Sequence, residues 1–156
     1  MARIERSMEV DVPVHIAYDQ WTQFEDFPKF MDGVQEVVQR GDKFLDWTAT
    51  IGGQKRKWTA EIVDQTPDTR IAWKAIDGTE NAGAVLFDPL GPDRTRIRLV
   101  IDAEPDDPIE AVGTALGFLE RRVEGDLARF KQFIEERRQP TGAWRGSIHG
   151  SEVNRS

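Results

Sequence analysis

The sequence predicts an α+β fold: a seven-stranded, curved antiparallel sheet around a long C-terminal helix, with two short helices after the first strand. Three observations predict it. From Val34 to Ala103, apolar and polar residues alternate with period two, in runs separated by turn residues. From Val112 to Ile134 an apolar stripe recurs every three or four residues. Between these regions, Asp107-Pro108-Ile109-Glu110 has the pattern of a helix start.

The elements follow in chain order. Residues 4–12 read as the first strand, with Met8, Val10 and Val12 on one face and Ser7, Glu9 and Asp11 on the other. Pro13 suits the first helical turn, where its missing N–H costs nothing. Val14, Ala17, Tyr18 and Trp21 then share one helical face. Pro28 interrupts that helix, and Phe27, Phe30 and Met31 are expected to form a second, short one that plugs an end of the core. Gly41-Asp42, Gly52-Gly53, Pro67-Asp68 and Asp77-Gly78 punctuate the alternating region as turns. Asp88 to Asp93, with two prolines and a glycine, reads as a looser connection. Six further strands result, near 34–40, 43–51, 54–65, 70–76, 81–88 and 95–104.

Parity assigns the faces. Trp47, Ala49, Ile51, Trp58, Ala60, Ile62, Ile71, Trp73, Ala75, Val85, Phe87, Ile97, Leu99 and Ile101 share the apolar side. Asp46, Thr48, Thr59, Glu61, Lys74, Arg96 and Arg98 share the other, as in a sheet covered on one face only. The cover is the helix predicted from about Pro108 to Arg137, whose stripe is Val112, Leu116, Leu119, Val123, Leu127, Phe130 and Ile134. Lys131 and Glu135 are spaced for an i,i+4 pair on its outer side, as are Arg122 and Asp126. Gly113, Gly117 and Gly125 lie inside it, either as tolerated weak points or as places of close approach. Residues 1–138 therefore read as one domain, and 139–156 as a partly disordered tail anchored by Trp144.

Composition excludes several kinds of chemistry. With 21 basic and 28 acidic residues the net charge is −7, which disfavours nucleic acid as a partner. No apolar run is long enough to cross a bilayer, so membrane insertion is not expected. Cysteine is absent, and residues 1–12 lack the pattern of a signal peptide, so the expected address is cytoplasmic. The two histidines, His15 and His149, have no metal-ligand spacing; no metal and no cofactor are expected. No nucleophile elbow and no phosphate-cradling loop is present. Adjacent Asp106 and Asp107 fit a helix N-terminus better than an acid/base pair.

Several segments carry a family resemblance. They are Val10-Asp11-Val12-Pro13, Trp21-Thr22-Gln23-Phe24-Glu25-Asp26-Phe27-Pro28-Lys29-Phe30-Met31, Trp58-Thr59-Ala60-Glu61-Ile62 and Arg121-Arg122-Val123-Glu124-Gly125-Asp126-Leu127. With the element order, they resemble the bacterial polyketide cyclase/dehydrase branch of the START-like (SRPBCC) superfamily. Gly142-Ala143-Trp144-Arg145-Gly146 looks like its actinobacterial members. The resemblance implies a helix-grip fold. It spans aromatic polyketide cyclases, lipid carriers and members without known activity, so it implies the fold more narrowly than the chemistry.

The residues themselves point to an interior site. Trp47, Trp58 and Trp73 face inward on neighbouring strands, joined by Tyr18 and Trp21 from the first helix and Leu119 and Val123 from the last. They read either as a filled aromatic core or as the wall of a cavity for a small hydrophobic or aromatic ligand. Arg56 and Asn81 share the inward parity at strand starts and are expected at the pocket mouth, where Arg56 is either solvated or pairs with an anionic ligand group. Glu36 joins them unless a bulge near Val37 and Val38 reverses its direction. The leading expectation is binding of such a ligand. The alternatives are a cyclase/dehydrase using Arg56, Asn81 and Tyr18 for ring closure or dehydration, and a stress or assembly factor acting through its tail.

Overall fold

Alternation along the middle of the chain becomes an antiparallel meander. The computed structural model describes residues 2–31, 33–51, 53–78, 81–103 and 116–155. Its main strands are β1 (Ala2–Val10), β2 (Val34–Arg40), β3 (Phe44–Ile51), β4 (Gln54–Thr66), β5 (Arg70–Gly78), β6 (Asn81–Gly91) and β7 (Arg94–Ala103). They lie in the order β1-β7-β6-β5-β4-β3-β2, so the first strand pairs with the last of the meander. Ile4 faces Ile101 and Met8 faces Ile97 across that junction. Between β1 and β2 run α1 (Val14–Trp21) and a 3-10 segment (Phe24–Lys29).

The expected architecture holds, with corrections in detail. Pro13 is the N-cap of α1 rather than its first helical residue, with ψ 154°. Pro28 sits inside the 3-10 segment, whose backbone it tolerates. Asp77-Gly78 is not itself a turn: β5 runs through Gly78, helped by a bulge between Thr59 and Ala60 of β4. The loose link expected at Asp88–Asp93 is mostly strand. β6 extends to Gly91 and takes up Pro89 beside a second bulge, where a missing N–H does no harm.

Among the described residues the strands number nine, not seven. β8 (Ser147–His149) pairs with β4 at Asp64 and Gln65, and β9 (Glu152–Asn154) pairs with β8. The reason lies in strand lengths. β3 pairs with β4 only as far as Glu61, so the last residues of β4 keep an edge free on that side, and β8 takes it. This signal is absent from residues 147–154, which are too short and polar to show a period.

α2 (Leu116–Arg137) covers the sheet. The start expected at Pro108 and the acids Asp106 and Asp107 lie outside the described residues, as does Gly113; so does the side chain of Leu119. Val123, Leu127, Phe130 and Ile134 are each at most 3% exposed, as their spacing requires. Lys131 and Glu135 form the expected pair at 2.7 Å. Polar contacts tie the helix to β1 and its surroundings. Arg6 bonds Glu124 at 2.8 Å, and the Lys131 ammonium donates to the Glu9 carbonyl at 2.9 Å. The Arg129 guanidinium donates to the Phe30 carbonyl at 3.0 Å. No second backbone packs close against Gly125: the nearest atoms a Cβ there would meet belong to the Arg129 side chain. Among the described residues no helix is long and apolar enough to cross a membrane.

Candidate functional site

The concave face of the sheet is sealed at one end and half-buried at the other. Ile62, Ile71, Val85, Phe87 and Ile97 are essentially inaccessible. Further toward the other end, the inward positions Trp58, Trp73, Gly83 and Ile101 are only partly covered, while Ala60 on β4 and Leu99 on β7 stay buried. Aromatic rings from α1, the 3-10 segment and α2 fill the sealed end. Trp21 is its hub, with ring centroids 5.8 Å from Phe27, 6.3 Å from Phe87 and 4.8 Å from Phe130.

At the half-buried end the three inward tryptophans meet the rest of the core. Trp47 and Trp58 are directly opposed across β3 and β4. Such cross-strand neighbours bring their side chains into contact. Their indoles stack at 5.5 Å and 10°. Trp47 also meets Phe27 at 5.6 Å, which links the pair to the sealed end. Gly78 lies opposite Trp58 at φ +87°, and a Cβ there would stand 2.3 Å from the Lys57 carbonyl. Glycine is therefore required at that position.

Trp73 is held flat by two neighbours. Its Nε1 donates to the Asn81 side-chain oxygen at 3.1 Å. Its ring lies over Gly83, the residue opposed to it on β6; a Cβ at Gly83 would be 2.7 Å from the indole. Trp47 has no such partner: its Nε1 is buried without a hydrogen bond. An orphan donor in an apolar wall costs free energy unless a second acceptor arrives.

The structure thus stacks Trp47 on Trp58 across β3 and β4, and sets Trp73 between Ile62 and Gly83 with its N–H on Asn81. Arg56, half-buried, sits one inward position before Trp58 and donates to Gln54 Oε1 at 2.6 Å. Val123 is buried on α2. Tyr18 and Trp21 belong to the sealed end instead. Tyr18 is 0% exposed, its ring 5.4 Å from Phe87, and its hydroxyl accepts a bond from Gln65 Nε2 at 3.1 Å. Burial pushes the Tyr18 phenol up to about 12, so it is a poor proton donor near neutral pH. Glu36 is exposed, because a bulge between Val34 and Glu36 turns it outward and leaves Val37 buried. His15 is exposed on α1, and His149, on β8, pairs with Asp64 at 3.2 Å. Among the described residues no group of acids and histidines is arranged to hold a metal ion.

Sequence reasoning missed the structural roles of Gly83, which makes room for Trp73, and of Phe27, which joins the stacked pair to the core. Cross-strand register decides the first, and register is set by bulges that parity alone does not reveal. It also missed a polar cluster in which Asp19, Gln20 and Gln65 are buried and Asp68 and the exposed Arg145 lie over them. Its members come from three distant segments, and no local pattern links them.

Known proteins share this architecture. A family model described as polyketide cyclase / dehydrase and lipid transport matches residues 10–132. An uncharacterized 17.2 kDa protein of Streptomyces lincolnensis, from a melC2-rnhH intergenic region, is 50% identical over 149 residues, covering 95% of this chain and 99% of its own length. Among solved structures, the Zhui aromatase/cyclase of Streptomyces sp. R1128 superposes with a TM-score of 0.73 at 17% identity, over 91% of this chain and 98% of that one. A START superfamily protein from Mycobacterium smegmatis gives 0.67 at 18% identity, over 86% and 95%. At such identities the superpositions show a common helix-grip fold, whereas the family match extends through most of the sequence. The chain belongs to the polyketide cyclase/dehydrase and lipid transport family.

Proposed function

We propose that this protein is a cytoplasmic binding module for a small, planar, hydrophobic or aromatic molecule, held at the half-buried end of the concave face. One observation carries the reading: Trp47, Trp58 and Trp73, with Gly83 and Ile101, stay only partly covered, while Ala60, Ile62, Ile71, Val85, Phe87, Ile97 and Leu99 of the same face are buried. Stacked and edge-on indoles suit a flat apolar guest. The unpartnered Trp47 N–H suits a guest with a carbonyl or phenolic oxygen. Arg56 and Asn81 stand at the rim, with Val123 and Leu119 on the covering helix; Tyr18 and Trp21 back the site from the sealed end without touching the guest. Residues 1–138 carry the binding.

Ring-closing chemistry is the second reading, favoured by the family match. It needs a proton donor or acceptor at the guest. Tyr18 fits that role poorly, since it lies beneath Phe87 with its hydroxyl already engaged. Arg56 would be left to stabilise an enolate, as a fixed cation can.

Paired ligands test the proposal. A planar aromatic carboxylic acid and its neutral ester should each change tryptophan fluorescence saturably, at roughly micromolar affinity, about −8 kcal/mol. Arg56→Ala should weaken the acid by about tenfold and the ester by less than about twofold, because only the charged contact is lost. An acid affinity left unchanged by the substitution would remove Arg56 from the site.

A further inference from the structure

We propose that residues 140–149 form a releasable strap, locked by Arg145, that clamps α1 over the sealed end of the core. The inference goes beyond ligand binding and does not depend on it. Arg145 is the lock because it joins two separate segments. One guanidinium nitrogen bonds Asp19 of α1 at 2.5 Å, and the other bonds Asp68 of the β4–β5 turn at 2.8 Å. The same guanidinium lies 5.5 Å from the centre of the Tyr18 ring.

Further contacts hold the strap along its length. The fully buried Gln20 side chain accepts from the Thr141 amide at 2.8 Å and donates to the Thr141 hydroxyl at 3.1 Å. The Thr141 hydroxyl also donates to Asp26 at 2.5 Å. The Trp144 amide donates to the Thr22 hydroxyl at 3.1 Å, and the Gly150 amide, just past the strap, to the Val63 carbonyl at 2.9 Å.

The chemistry of this interface differs from the rest of the core. Asp19, Gln20, Thr22 and Gln65 lie beneath or beside the strap; among the described residues the one other buried polar side chain is Thr95. Polar surface is solvated readily when a contact opens, whereas apolar surface is not. The closed state is also incompletely satisfied, because Gln65 Oε1 and Asp68 Oδ1 are buried without partners. Ile148 is the one fully buried apolar side chain in the strap. Such a segment opens with less free energy than the whole domain. Opening bares the edge of β4 at Asp64 and Gln65 and uncovers Tyr18 and Gln65. It also frees the C-terminal end of α1, which holds Trp21 in place.

Native-state hydrogen exchange on the full chain tests this. The amides of Thr141, Trp144 and Gly150 should exchange together through an opening with little denaturant dependence, before those of Phe130 and Ile134 in α2. Arg145→Met should speed the first group by about tenfold or more, with Thr22 and Gln23, and leave the α2 amides unchanged. Asp68→Asn, which removes one arm of the lock, should give the same pattern with a smaller effect. The proposal fails if the strap amides exchange only with α2, if either variant speeds both groups alike, or if neither variant changes the strap.

Discussion

Trp21→Ala is expected to lower the unfolding free energy by about 3–5 kcal/mol, the usual cost of emptying a filled aromatic site. Trp21 is 4% exposed and touches Phe27, Phe30, Phe87 and Phe130 from the 3-10 segment and its C-cap, β6 and α2. Removing it leaves a void where three layers meet, and rigid rings on all sides limit collapse. Urea unfolding followed by circular dichroism measures this as a lower midpoint with an unchanged slope. A loss below about 1 kcal/mol would mean the sealed end is loosely packed, contrary to the ring geometry.

Trp58→Ala is expected to act mainly on binding. Trp58 is half-buried, so its removal should cost less stability than Trp21, about 1–3 kcal/mol. It removes one of the two stacked indoles, so affinity for a planar ligand should fall by about 2 kcal/mol, roughly thirtyfold. The contrast between the variants carries the argument. Trp21→Ala should unfold easily but bind nearly normally while folded, and Trp58→Ala the reverse. Calorimetric titration of each variant, well below its unfolding midpoint, separates the two. A Trp58 variant with unchanged affinity would place the ligand elsewhere.

Much of this division was legible in the sequence. Period-two alternation put Ala60, Ile62, Ile71, Val85, Phe87, Ile97 and Leu99 on the buried face, where they lie. It worked because one face of the sheet is covered and the other is wet. The stripe of α2 was legible for the same reason. Parity did not distinguish Trp21 from Trp58: both face the interior, but only the packing of Phe27, Phe30 and Phe130 shows which end is filled. Strand ends were harder. Gly78 and Pro89 read as turn residues but lie in strands beside bulges, since a bulge changes local register without a composition signal. The strap was hidden most deeply. Asp19 and Arg145 are 126 positions apart, and only the fold makes them neighbours.

The central claim is that the ligand meets the stacked tryptophan pair and Trp73. The chain has five tryptophans, hence five indole N–H signals in a nitrogen-15 correlation spectrum. During titration with a planar aromatic ligand, the signals of Trp47, Trp58 and Trp73 should shift saturably with one common affinity. The Trp47 signal should move furthest, since its N–H gains a partner. The Trp144 signal, from the strap, should stay in place. A titration in which none of the three moves, or in which Trp144 alone responds, would contradict the account and put the protein's working surface outside the sheet's concave face.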